Sequence, residues 1–185
     1  MVFILKGCFM KKIIINDFIS KKAYDELLMF LIKKSDTYMF HLPNMGKILV
    51  NQRNHKDFPD YPLGYAEIDD QKDHFNYVDK VNIYLKKIQS DIISSHIDTG
   101  YLEQTFNIEI EVFNVNVSEK TFDFFSITDS FYEWKYPDLP ENPCFFIDGK
   151  CIFECIAHEK FCIMSPFDNE IYDILKKHNI EYFLI

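Results

Sequence analysis

Hydrophobic positions along the chain change period several times, and each change marks an expected element. From Ser20 to Lys34, Ala23, Leu27, Leu28, Leu31 and Ile32 recur at helical spacing, with Asp25 and Glu26 early and Lys33 and Lys34 late. That pattern predicts an amphipathic helix whose charges complement its dipole. Thr37–Leu42 and Lys47–Asn51 predict strands flanking the turn Pro43-Asn44-Met45-Gly46. Phe75, Val78, Val81, Leu85, Ile88 and Ile92 form one apolar stripe, so the longest helix is expected over about 70–99, capped by Gly100. Phe106–Thr128 alternates, slips in phase at Val112-Phe113, and slips again at Phe124-Phe125. This predicts a hairpin turning at Ser118–Thr121, with a bulge or a strong bend where the slips meet, or burial on both faces there.

The stretch from Cys144 to Met164 holds four of the five cysteines. Asp148-Gly149 is a strong type I′ turn signal, and a second turn is expected over Ala157–Lys160. Pairing across both turns sets Phe146 opposite Cys151, Cys144 opposite Phe153, Cys155 opposite Cys162 and Phe153 opposite Met164. One uncharged face is therefore expected to carry Cys144, Phe146, Cys151, Phe153, Cys155, Cys162 and Met164. Cys151 and Cys155 would then lie roughly 13 Å apart along one strand. Two ligands of one zinc must be far closer, so these cysteines are expected to act as small buried hydrophobes. A cross-strand Cys155–Cys162 disulfide is the one oxidation product this pairing suggests.

Ser165-Pro166 opens a helix expected over about 166–178, and Ile180–Ile185 ends the chain as a strand. The expected class is α+β, a mainly antiparallel sheet with a C-terminal three-stranded meander, one long helix and two shorter ones. Residues 1–185 form one expected domain, with 1–9 an upstream extension or an edge strand. The apolar run Val2–Leu5 is too short for a signal peptide, and no stretch approaches the length needed to cross a bilayer. With an odd number of cysteines as well, a cytosolic protein is expected.

Charge narrows the partners. A formal net charge of −9 argues against a nucleic-acid binder, which needs clustered Lys and Arg, and suits a basic protein partner. Phe58-Pro-Asp-Tyr-Pro62 followed by Asp70–Lys72, and Tyr136-Pro-Asp-Leu-Pro140 followed by Asp148–Lys150, are similar to the PD-(D/E)xK nuclease signature. In such nucleases carboxylates hold Mg²⁺ beside a lysine. Here Asp148-Gly149-Lys150 is better explained as a turn and Asp70–Lys72 as a helix start, so a metal-dependent nuclease or hydrolase is the alternative and not the main expectation. His158 is placed in a loop beyond Cys155, not in contact with it, and His96 beside the stripe of the long helix. Neither a catalytic set nor a cofactor is expected.

Two loops combine proline, aromatic rings and carboxylates, Asp57–Tyr65 and Phe131–Pro140. Rigid rings bury area at small entropic cost, so Phe58, Asp60, Tyr61, Tyr132, Trp134, Tyr136 and Asp138 are the candidate partner-binding residues. The competing explanation is that the rings seal the core. The tail, with Ile152-Phe-Glu-Cys, then Met164-Ser165-Pro-Phe, a helix and Ile180–Ile185, resembles the ending of single-domain immunity proteins of bacterial polymorphic toxin systems. That resemblance implies a protein that neutralises a cognate toxin by direct binding, without catalysis or cofactor.

Overall fold

A computed structural model describes residues 12–16, 20–43, 71–98, 110–136, 138–165 and 168–185, with side chains from residue 77 onward in the third segment. Eight described strands form one sheet: β1 (Ile13–Ile15), β2 (Thr37–Pro43), β3 (Ile92–Asp98), β4 (Ile110–Asn116), β5 (Glu141–Ile147), β6 (Lys150–Ile156), β7 (Phe161–Met164) and β8 (Tyr182–Leu184). Every neighbouring pair is antiparallel, in the order β3-β4-β2-β5-β6-β7-β1-β8. Four described helices, α1 (Lys21–Lys34), α2 (Gln71–Ile88), α3 (Lys120–Phe125) and α4 (Glu170–Lys177), complete an α+β fold.

The α1 helix begins where the sequence predicts. Ser20 is extended and its hydroxyl accepts the Ala23 N–H, while Tyr24, Leu27, Leu28 and Leu31 turn fully inward. Along the sheet, the register lines up Val115, Tyr38, Phe145, Phe153, Met164 and Ile13 in a row crossing six strands. All six are buried in one core with residues of α1, α3 and α4. Each of its Val, Phe, Met and Ile side chains contributes roughly 1.5–3 kcal/mol relative to exposure, so this row is the spine of the molecule.

Two elements depart from expectation for a shared reason. The long helix stops at Ile88, and after a 3-10 turn Ile92–Asp98 runs as edge strand β3 beside β4. Ile88 and Ile92 fit a helical stripe, but Ile92 pairs with Val115 instead, and a distant partner decides the conformation. His96 accordingly lies on β3, opposite Val112. The expected return strand of the Phe106–Thr128 hairpin is helix α3. Its buried residues Thr121, Phe124 and Phe125 are spaced i, i+3, i+4, so the slip at Phe124-Phe125 was a helical signature. Ser118–Thr121 starts that helix: the Ser118 hydroxyl accepts the Lys120 N–H, and the Thr121 hydroxyl accepts the Ser118 N–H. No bulge marks the slip at Val112-Phe113: β4 pairs with β2 residue for residue, and both side chains are buried on opposite faces, with Phe113 stacked on Phe40 at 5.4 Å.

In the meander, Asp148 (φ 48°) and Gly149 (φ 71°) form the expected left-handed turn. Ile147–Lys150, Phe146–Cys151, Cys155–Cys162 and Phe153–Met164 pair as predicted. Cys144 does not: it faces Glu154, because Ile152 is an extra residue between the Phe146–Cys151 and Phe145–Phe153 pairs. This bulge divides the single uncharged face. Phe145, Phe153, Cys155, Cys162 and Met164 point into the core, while Cys144, Phe146 and Cys151 take the opposite face with Glu154. The final helix is also shorter than predicted, Glu170–Lys177, with the Asp168 carboxylate accepting the Glu170 N–H. The Lys47–Asn51 strand and residues 1–9 lie outside the described residues.

The α4 helix is tied to α1 by charge. Lys177 Nζ donates to both Glu26 oxygens at 2.8 and 2.7 Å, and His178 Nε2 lies 2.7 Å from Oε2. The Lys177 bonds first, and His178 second, hold the Glu26 carboxyl below its ordinary 4.5. A carboxyl depressed in the folded state adds stability above its unfolded value and loses it as pH falls through the folded one. Denaturant titrations below pH 4.5 are therefore expected to show a steeper loss of stability for the native chain than for Glu26→Gln. Equal slopes would remove the clasp from the acid response.

Candidate functional site

The Phe131–Pro140 loop is built from its capping residue outward. Ser130 is extended, its hydroxyl accepts the Tyr132 N–H, and a 3-10 turn follows over Phe131–Glu133. That turn sends successive rings in different directions. Phe131 is fully buried, 4.6 Å from Phe153 by ring centroid. Tyr132 is half-buried and its hydroxyl donates to the Ile15 carbonyl at 2.8 Å, fixing the loop to β1. Trp134 is 0% exposed, its ring lies 5.1 Å from Phe124 and 4.6 Å from Phe125, and its indole N–H donates to the Tyr24 hydroxyl.

The sequence therefore placed Trp134 and Tyr136 wrongly, on the surface. Tyr136 is 3% exposed and packs edge-on against Tyr77 of α2, with centroids 4.6 Å apart. Both rings fasten the loop to the core, the competing explanation weighed above. Proline and aromatics at this density carry no sign of direction, so composition alone could not separate a binding surface from a sealed edge. Asp138 is the candidate that stays outside, its side chain 71% exposed and 2.9 Å from Lys80 Nζ. Phe58, Asp60 and Tyr61 lie outside the described residues.

A buried carboxyl missed in the sequence holds the far end of the loop. Glu141 is 4% exposed, and its Oε1 accepts the Tyr136 N–H at 3.1 Å and meets His158 Nε2 at 2.8 Å. Next to it, Asn142 sits at φ 53°, its N–H donating to the Trp134 carbonyl and its Oδ1 accepting the Ala157 N–H. Together these residues join the loop to the β6–β7 turn. The only sequence signal for Glu141 was a charged residue between Pro140 and Pro143 at the start of an apolar strand. His158 lies in the turn beyond Cys155, as expected, and is a partner in this network.

With its rings and backbone held, the segment shows water mainly carboxylates. Asp129, Glu133 and Asp138 are all exposed, and Asp129 is 3.6 Å from Lys21 Nζ. Such exposed ion pairs contribute little stability, roughly 0–1 kcal/mol each, and leave the charges available to a partner. The nuclease-like residues are separated by the fold: Asp138 precedes β5 and Asp148 follows it, at opposite ends of a strand roughly 20 Å long. One metal ion cannot bridge them. Asp60 and Asp70 lie outside the described residues. Among the described residues no group of three or more His, Cys, Asp and Glu is placed to hold a metal, and no helix is long and apolar enough to cross a membrane. No protein-family model, curated protein or solved structure matches the chain.

Proposed function

We propose that this chain is a non-catalytic binding protein, an immunity protein that neutralises a basic toxin domain by direct contact. The observation that carries the proposal is the stretch of residues 129–136 and 138, which turns Phe131, Trp134 and Tyr136 inward and Asp129, Glu133 and Asp138 outward. A surface already ordered before binding loses little conformational entropy on association. Carboxylates on a chain of net charge −9 steer a basic partner toward it and raise the association rate. The tail resemblance points to the same class of protein.

The test pairs the purified chain with the toxin domain encoded by the adjacent gene, in growth-protection and stopped-flow binding assays. The combined Asp129→Lys, Glu133→Lys, Asp138→Lys variant is expected to keep its melting temperature and to lose about tenfold or more in association rate at low salt. An unchanged rate and salt dependence would exclude this surface. Failure of the native chain to bind or protect would exclude immunity against that toxin.

A further inference from the structure

The Ile152 bulge has a chemical result on the face away from the core. It moves Cys144 out of line with Phe153 and places it diagonally from Cys151 on neighbouring strands, since Cys144 faces Glu154 and Cys151 faces Phe146. The added twist of a bulge draws one such diagonal closer than a flat ladder would. The two residues differ in access: Cys151 is exposed and Cys144 is buried. We propose that Cys151 is a site of reversible oxidation by hydroperoxides, with Cys144 as the resolving thiol that closes a Cys144–Cys151 disulfide.

The surroundings support this division of roles. The side-chain interaction with Cys144 holds the Cys151 thiol below its ordinary range, with Lys12 acting in the same direction, while partial burial and Glu154 oppose them. Cys144, beside Cys151 and buried, is pushed well above the usual thiol range and keeps its proton, which it donates to the Asn142 carbonyl. Reactive cysteines combine access with thiolate character in this way. In the first step the Cys151 sulfur attacks a peroxide oxygen and the O–O bond breaks. Hydroxide or alkoxide leaves and is protonated; sulfur is oxidised to a sulfenic acid and the peroxide is reduced. In the second step the Cys144 sulfur attacks the Cys151 sulfur, the S–O bond breaks, and the departing hydroxide takes the Cys144 proton as water. A dithiol reductant reverses the sequence.

Tryptic mapping separates this bridge from others, because Lys135, Lys150 and Lys160 put Cys144 in one peptide, Cys151 and Cys155 in the next, and Cys162 in a third. After mild hydrogen peroxide at neutral pH, the expected product lacks two hydrogens and links peptides 136–150 and 151–160, with fragmentation locating the bond at Cys151. Cys144→Ala is expected to abolish the link and raise dimedone trapping at Cys151 several-fold. A link between peptides 151–160 and 161–176, which would be Cys155–Cys162, or Cys151 that reacts no faster than in the urea-unfolded chain, would overturn the proposal. Mapping the native chain needs no variant, so a misfolded Cys144→Ala would leave the test intact.

Discussion

Trp134→Ala is expected to lower the unfolding free energy by about 4 kcal/mol, measured by urea denaturation followed by far-ultraviolet circular dichroism. The indole is the largest fully buried side chain and fills the space between Phe124 and Phe125 while donating to the Tyr24 hydroxyl. Truncation removes that apolar area, leaves a cavity walled by rings from α1 and α3, and deprives the Tyr24 hydroxyl of a donor. Tyr24 already donates to the Phe125 carbonyl, and burial raises its phenol far above the usual range, so ionisation offers no relief. Trp134→Phe keeps most of the volume and is expected to cost less than half as much. A loss below about 1 kcal/mol for the alanine variant would mean that the ring is not enclosed as described. Any toxin-binding defect of this variant would therefore report on folding, which is why charge reversal at exposed carboxylates is the informative test of binding.

The second large effect is expected at Glu141. Glu141→Ala removes the carboxyl that accepts the buried Tyr136 N–H and meets His158, so a loss of about 1–3 kcal/mol is expected. Glu141→Gln retains a carbonyl-type oxygen and is expected to lose about half of that. Hydrogen exchange should show where the loss falls: faster exchange at Tyr136 and Asn142 in Glu141→Ala, with α1 amides unaffected below the global limit. Uniform acceleration through α1 would contradict a local role for the carboxyl. This buried polar network adds to the ring packing in tying the loop to the sheet.

How far such features can be read from sequence depends on how local their cause is. The start of α1 was legible because one serine and one apolar stripe specify it. Asp148-Gly149 was legible because few dipeptides accept positive φ at both positions. The end of α2 was not, since Ile92 chooses between a helical stripe and a pairing with Val115 that lies beyond a long stretch of chain. Thr121, Phe124 and Phe125 were misread because over so few residues helical and strand periods coincide. The bulge at Ile152 escaped notice because Cys144–Ile147 and Cys151–Phe153 are apolar on every position, and a run without polar residues carries no phase. In the candidate site, the residue types were legible and their directions were not. Rings and charged residues are interspersed along Phe131–Asp138, and the 3-10 turn after Ser130 decides which of its residues face water.

The position of β1 sets an order of assembly. Ile13–Ile15 pairs on one side with β7 and on the other with β8, and the Lys12 and Ile185 backbones exchange two further hydrogen bonds. Both strands that β1 pairs with are thus synthesised well after it. A growing chain can build α1, β2, β4 and the β5–β6 hairpin as they emerge, but carries an isoleucine triplet with no place to go. Closing so large a loop is slow, and until it closes that triplet is open to capture by a chaperone or by another unfinished chain.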